Sequence, residues 1–126
     1  MVQKKKIMLI DDSSTNNILY ESILSEEGFE VTVVSNPLLA IQNIKSEKPD
    51  LIILDLRMPV LDGFQIMEKI RGDKEISSIP IIVLSAENSR EAEKKSYDLG
   101  AALYLSKPIG IDDIIQIVSK HMSATA

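Results

Sequence analysis

The chain contains no cysteine in its 126 residues. That excludes a disulfide framework, a zinc–thiolate centre and a cysteine nucleophile. It also lacks any apolar run approaching the ~20 residues of a membrane-spanning helix, and Met1 to Lys6 lead straight into a short strand pattern instead of a signal-peptide core. A soluble, cytoplasmic protein without membrane insertion is expected. Basic residues are in the minority, with 14 Lys and Arg against 19 Asp and Glu and a formal net charge of −5. Sequence-independent affinity for nucleic acid comes from clustered Lys and Arg, so no direct nucleic-acid partner is expected. The one basic run, Lys4-Lys5-Lys6, reads as a solubilising lead-in to the first strand, with a contact site as the alternative. Internal repeats, low-complexity tracts and linkers are absent as well.

What is present is an alternation of short apolar runs with longer segments of helical spacing, the pattern of βα units. The runs are Ile7–Ile10, Val31–Val34, Leu51–Leu54, Ile81–Leu84 and Ala102–Leu105. The first, third and fourth are apolar throughout, as strands buried on both faces should be, while Thr32 and Tyr104 mark the second and fifth as edges.

Helix signals fill the intervals. Ser13 or Ser14 can cap a first helix in which Leu19 with Ile23, and Tyr20 with Leu24, share a face before Gly28. Asn36-Pro37 opens a second, with Leu38, Ile41 and Lys45 following. Asp62-Gly63 opens a third, lined by Gly63, Met67 and Ile70. The fourth, Ser89 to Leu99, is charged and offers only Ala92, Tyr97 and Leu99 for packing, so a loosely held helix is expected. Ile111, Ile114, Ile115, Val118 and Met122 make a stripe in the fifth, behind Asp112 and Asp113.

One domain, 1–126, follows, with its core at about 6–122 and a frayed tail at 123–126. The expected fold class is α/β: a flavodoxin-like, doubly wound (βα)₅ with a parallel five-stranded sheet of order 2-1-3-4-5 and helices on both faces. Ligands of such sheets bind beyond the carboxyl ends of the strands, at the reversal between strands 1 and 3. There the sequence places Asp11-Asp12, Asp55, Ser85 and Ser106-Lys107-Pro108.

Three carboxylates in one crevice must be protonated, paired or bridged by a cation at neutral pH. Mg²⁺ suits them, because it takes oxygen ligands, keeps several waters and leaves room for a phosphoryl oxygen. Lys107 adds a point positive charge for a carboxylate or a phosphoryl oxygen. Asp55 is then a plausible nucleophile toward a phosphoryl group, with Ser85 as a hydrogen-bond donor to that group once it arrives.

These residues resemble the response-regulator receiver domain of two-component signalling, in its chemotaxis-regulator-like single-domain form. The likeness runs from Ile7 to about Met122. Its parts are Leu9-Ile10-Asp11-Asp12, Asp55-Leu56-Arg57-Met58-Pro59 with Asp62-Gly63, Leu84-Ser85-Ala86, and Tyr104 three residues before Lys107-Pro108. The resemblance implies that Asp55 is the phosphoacceptor, that Asp11, Asp12 and Asp55 hold Mg²⁺ with the backbone carbonyl of Arg57, and that Lys107 pairs with the phosphoryl group. It implies Ser85 and Tyr104 as the switch pair, with serine where the family often has threonine. Arg57 and Glu87, each two residues past a key position, would border the path of the hydrolytic water and modulate phosphoryl lifetime. The implied partners are a sensor histidine kinase or histidine phosphotransfer protein. Downstream stands a protein target or a second copy, bound through the surface of helix 4, strand 5 and helix 5. The implied chemistry is self-phosphorylation and slow dephosphorylation, not enzymatic turnover.

Plainer readings exist for each part. Asp11-Asp12 suits a helix N-terminus, Ser85 a strand end and Tyr104 an edge strand, and Asp62-Gly63 is read as a turn and helix start. His121, near the end of the last helix, is given no role. A second class is a Mg²⁺-dependent phosphatase with an aspartyl nucleophile. Haloacid-dehalogenase-type enzymes carry it on the first strand with a second Asp two residues on, whereas Arg57 stands two after Asp55 here. The sequence contains no output module, so a stand-alone regulator or an excised receiver is expected.

Overall fold

Each apolar run sends alternate side chains to opposite faces of one sheet, and both faces are covered. The computed structural model describes residues 4–124, with side chains to Met122. In chain order the elements are β1 (Lys6–Ile10), α1 (Ser14–Glu26), β2 (Glu30–Val34), a 3₁₀ turn (Pro37–Leu39), α2 (Ala40–Glu47), β3 (Leu51–Leu54), α3 (Gly63–Arg71), β4 (Ile81–Ser85), α4 (Arg90–Asp98), β5 (Leu103–Ser106) and α5 (Ile111–Ala124). The sheet order is β2-β1-β3-β4-β5, and every pairing is parallel. Met8, Ile10, Ile52, Leu54, Ile81 and Val83 meet α2, α3 and α4 on one face. Ile7, Leu9, Leu51, Ile53, Ile82 and Leu84 meet α1 and α5 on the other.

Several helix faces differ from the sequence pattern. Leu38 is 61% exposed, and Ala40 with Ile44 takes the buried side of α2. The cause is the 3₁₀ turn at Pro37–Leu39, whose tighter winding rotates the following positions. In α4, Tyr97 stays half exposed and Ser96 is buried instead. The Ser96 hydroxyl satisfies itself by donating to Ala92 O at 2.8 Å, which is how a polar group tolerates that position. Leu19 and Ile111 lie on the outer surface. α5 runs through Ala124; the expected frayed tail at 123–126 falls in part on Thr125 and Ala126, which, like Met1 to Gln3, lie outside the described residues.

Two close fits tie α3 into the frame. Asp62 and Gln65 form a reciprocal cap, Gln65 N–H donating to Asp62 Oδ1 at 3.0 Å and Asp62 N–H to Gln65 Oε1 at 2.9 Å. Gly63 then lies so near β3 that a Cβ there would stand 2.5 Å from Asp55 O. At the other end, Arg71 donates to Leu99 O at 3.1 Å, to Gly100 O at 2.6 Å and to Ser77 O.

Candidate metal and phosphoryl site

The reversal of strand order falls between β1 and β3, and their parallel pairing continues one step past the strands as Asp55 N–H donates to Ile10 O at 3.0 Å. The residues after Ile10 and Leu54 therefore emerge side by side. Asp11, Asp12 and Asp55 each offer a carboxylate oxygen, all within 4.8 Å of one another. Asp11 and Asp55 are buried, at 2% and 7% exposure, whereas Asp12 is exposed and keeps the crevice open to solvent.

Lys107 reaches in from the end of β5. Its Nζ lies 2.8 Å from Asp11 Oδ2 and 3.9 Å from Asp55 Oδ2. Burial pushes the Asp55 carboxyl up to about 6; Lys107 and the Arg57 N–H oppose the rise, and Asp11 and then Asp12 add to it. The Arg57 N–H faces Asp55 Oδ1 at 3.5 Å.

The donor set fits a hard divalent cation. It consists of oxygens only, one member is solvent-exposed so that waters can complete an octahedron, and a buried carboxyl raised to about 6 is a group that added positive charge would relieve.

Glu87 joins three other parts. Its main-chain N–H donates to Ser85 Oγ at 3.1 Å, its main-chain oxygen accepts from the Tyr104 hydroxyl, and its carboxylate pairs with the Arg57 guanidinium. Since Ser85 Oγ is accepting, its proton is free to be donated elsewhere. Burial, then Glu87 and Glu93, raise the Tyr104 hydroxyl above its usual range. Tyr104 is only 9% exposed. The ring lies inward, its hydroxyl held by the Glu87 main-chain oxygen. Tyr97 Oη accepts from Tyr104 N–H at 3.1 Å and so caps the edge strand.

Every residue named from the sequence as a site candidate is brought to this end of the sheet: Asp11, Asp12, Asp55 and Lys107 in the crevice, Ser85 and Tyr104 linked through Glu87, and Arg57 with Glu87 at the rim. His121 sits elsewhere, its Nδ1 2.9 Å from Ile117 O within α5. Asn17 was missed: its Nδ2 donates to Asp11 O at 2.7 Å. Its signal was a polar side chain at an inward helical position six residues after Asp11. Tyr20 was read only as core.

A parallel sheet of this order with acidic groups at its switch point defines a flavodoxin-like α/β protein with an acidic crevice at the carboxyl ends of its strands. The chain belongs to the response regulator receiver domain family, whose pattern it matches over residues 7–119. It is 30% identical over 121 residues to sporulation initiation phosphotransferase F of Bacillus subtilis, covering 96% of each chain. Among solved structures, a Vibrio cholerae chemotaxis protein superposes with a TM-score of 0.88 at 25% identity, covering 94% of this chain and 98% of that one. The receiver domain of a Pseudomonas aeruginosa sensor histidine kinase superposes at 0.87 with 27% identity, covering 96% and 99%; that structure has a magnesium ion coordinated in its active site cleft. Among the described residues no helix is long and apolar enough to cross a membrane.

Proposed function

We propose that the chain is a phosphorylation-controlled switch: a single cytoplasmic receiver domain, 1–126, that accepts a phosphoryl group on Asp55 from a sensor histidine kinase or histidine phosphotransfer protein. The observation that carries this reading is the convergence of Asp11, Asp12 and Asp55 within 4.8 Å, with the Lys107 ammonium 2.8 Å from Asp11 and 3.9 Å from Asp55. Asp11, Asp12, Asp55 and the backbone carbonyl of Arg57 would hold Mg²⁺, which when bound neutralises charge on the transferring phosphoryl oxygens. The Asp55 carboxylate attacks phosphorus, the donor's bond to it breaks, and an acyl phosphate remains. Lys107 passes from Asp11 to a phosphoryl oxygen, and Ser85 donates its free proton to another.

The output follows from Glu87. A Ser85 hydroxyl drawn toward the phosphoryl group pulls on the residue that Tyr104 grips from the other side. The face made by α4, β5 and α5 then changes and binds a protein target or a second copy. The chain catalyses only its own loading and slow unloading. The test is incubation with Mg²⁺ and a small acyl-phosphate donor, followed by intact mass and adduct mapping. One phosphoryl group on Asp55, abolished by chelation, is expected. An adduct on Ser85, or one formed in Asp55→Asn at the wild-type rate, overturns the assignment, and multiple turnover of a phosphate ester would make the protein an enzyme.

A further inference from the structure

Asp11 is held at each of its polar atoms. Its N–H donates to Val34 O, at the end of β2, at 3.2 Å. Of its carboxylate oxygens, Oδ1 accepts from Ser13 N–H at 2.9 Å and Oδ2 from Lys107 Nζ at 2.8 Å. Its main-chain oxygen is taken by a side chain: Asn17 Nδ2, one turn into α1, donates to it at 2.7 Å. Asn17 is only 5% exposed, and its Oδ1 is buried without a partner among the described residues. A buried amide that pairs one of its two ends is a costly way to fill a helix face, so packing gives no reason for asparagine here. Asp12 is the opposite case. It is exposed, and among the described residues its side chain makes no hydrogen bond or ion pair. Even so, its carboxylate has an oxygen within 4.8 Å of those of Asp11 and Asp55.

We propose that Asn17 is a positioning residue for the cation site: by holding Asp11 O it fixes the peptide that joins Asp11 to Asp12, and with it the place of the Asp12 carboxylate. A peptide unit is planar, so a hold on its oxygen orients the whole unit, the N and Cα of Asp12 included. The amide is itself carried by the first bonded turn of α1, where Asn17 N–H donates to Ser13 O at 3.0 Å. An exposed carboxylate with no partner of its own thereby takes its direction from a buried one. Groups that orient metal ligands from behind typically account for about 10–100-fold in metal affinity. The inference deepens the reading of Asp11, Asp12 and Asp55 as a Mg²⁺ site and rests on it; it does not require that Asp55 accept a phosphoryl group.

Asn17→Leu keeps the bulk and removes the amide. Asn43→Leu is the control, because Asn43 Nδ2 likewise donates to a main-chain oxygen, Leu39 O at 2.9 Å, on the exposed side of α2. Three measurements on both variants and the wild type test the proposal: Mg²⁺ affinity by calorimetry, the urea midpoint without Mg²⁺, and the loading rate from a small acyl-phosphate donor across Mg²⁺ concentrations. In Asn17→Leu, Mg²⁺ affinity should fall about tenfold or more. The midpoint should stay near that of the wild type, because relief of the unpaired Oδ1 offsets the lost bond. Loading should slow at low Mg²⁺ and recover at saturating Mg²⁺. Asn43→Leu should bind Mg²⁺ as the wild type does. An affinity within about twofold of wild type in Asn17→Leu overturns the proposal, since a ligand-orienting group has a larger effect. So does an equal fall in Asn43→Leu, or a wild type that binds no Mg²⁺. A lowered midpoint with loading still slow at saturating Mg²⁺ reports general loosening and overturns it as well. If Asn17→Leu does not fold, Asn17→Ala takes its place; should neither fold, Asn17 serves the fold alone and the proposal fails. If the wild type binds Mg²⁺ but takes no phosphoryl group, the acceptor reading fails while the affinity comparison still decides on Asn17.

Discussion

Lys107 is paired more closely with Asp11 than with Asp55: its Nζ lies 2.8 Å from the first carboxylate and 3.9 Å from the second. The two partners in the closer pair are nearly enclosed, with side chains 13% and 3% exposed. Removing one member of a buried pair strands the other, at a cost of about 3–5 kcal/mol. Lys107→Met should lose roughly 3 kcal/mol in urea unfolding without Mg²⁺, and added Mg²⁺ should restore part of it by supplying the missing positive charge. Equal loss with and without the cation would count against a shared crevice.

Asp55 sets a pH dependence of definite sign. Its folded pKa, about 6, lies above the ordinary aspartate value. The folded state therefore binds more protons between the two, so the stabilisation is complete at low pH and is lost as pH rises through 6. Asp55→Asn should accordingly be more stable than the metal-free wild type at pH 8 by about 1–3 kcal/mol, the range reflecting screening by the open crevice. The advantage should vanish near pH 4. Denaturant midpoints across that range decide it, and an advantage that grows on acidification would reverse the argument.

Arg57 and Glu87 form an ion pair in which the arginine side chain is 70% exposed. Such a pair contributes on the order of 0–1 kcal/mol, so Arg57→Ala should leave the unfolding midpoint nearly unchanged. Its expected effect is on lifetime: without the pair, water reaches the Asp55 acyl phosphate more freely and the phosphorylated form decays several-fold faster, an estimate that follows from water exclusion. Decay followed by intact mass after donor removal checks this. An unchanged or longer lifetime removes the shielding role.

Ser85→Ala should still accept the phosphoryl group, since Asp55, Lys107 and the acidic cluster are untouched. It should lose most of the response in α4 and β5, because the pull on Glu87 is gone. Amide exchange over residues 87–105, with and without phosphorylation, separates the two effects. Wild-type protection that ignores phosphorylation would remove the switch while leaving the acceptor in place.

Gly63→Ala should destabilise the fold by about 2 kcal/mol or more, as overpacking against rigid backbone does. Its Cβ would stand 2.5 Å from Asp55 O and 2.8 Å from Leu56 Cα, neither of which can yield without moving the acceptor. The variant should therefore load more slowly at a given temperature as well as unfold earlier. A variant of wild-type stability would mean that α3 can shift away from β3.

The sheet was readable because Ile7–Ile10, Leu51–Leu54 and Ile81–Leu84 are buried on both faces, which leaves continuous apolar runs, and because the polar edges at Thr32 and Tyr104 break them. The crevice was readable because its residues follow directly on strand ends, so strand order alone brings them together. The inner face of α2 was not, since a 3₁₀ turn changes the period on which such a reading depends. Nor was Asn17, whose inward position looks like core until its amide is found to hold Asp11 O. Arg71 left no trace at all: guanidinium bonds to carbonyls 28 and 29 residues away have no spacing to recognise.

That arginine governs how α4 can move. Helix α3 is nine residues long, a rod of about 14 Å, seated at one end against the main chain of Asp55 and fastened at the other to Leu99 and Gly100. The C-terminal end of α4 is thereby anchored to the same body that carries the acceptor. Among the described residues its opposite end, beginning at Arg90, makes no hydrogen bond to α3; farther along the helix Lys95 Nζ stands 4.5 Å from the Phe64 ring centroid of α3. In the proposed switch a helix fastened at that end would swing more than slide, so the largest travel is expected at the end nearest Ser85 and the smallest at the turn into β5.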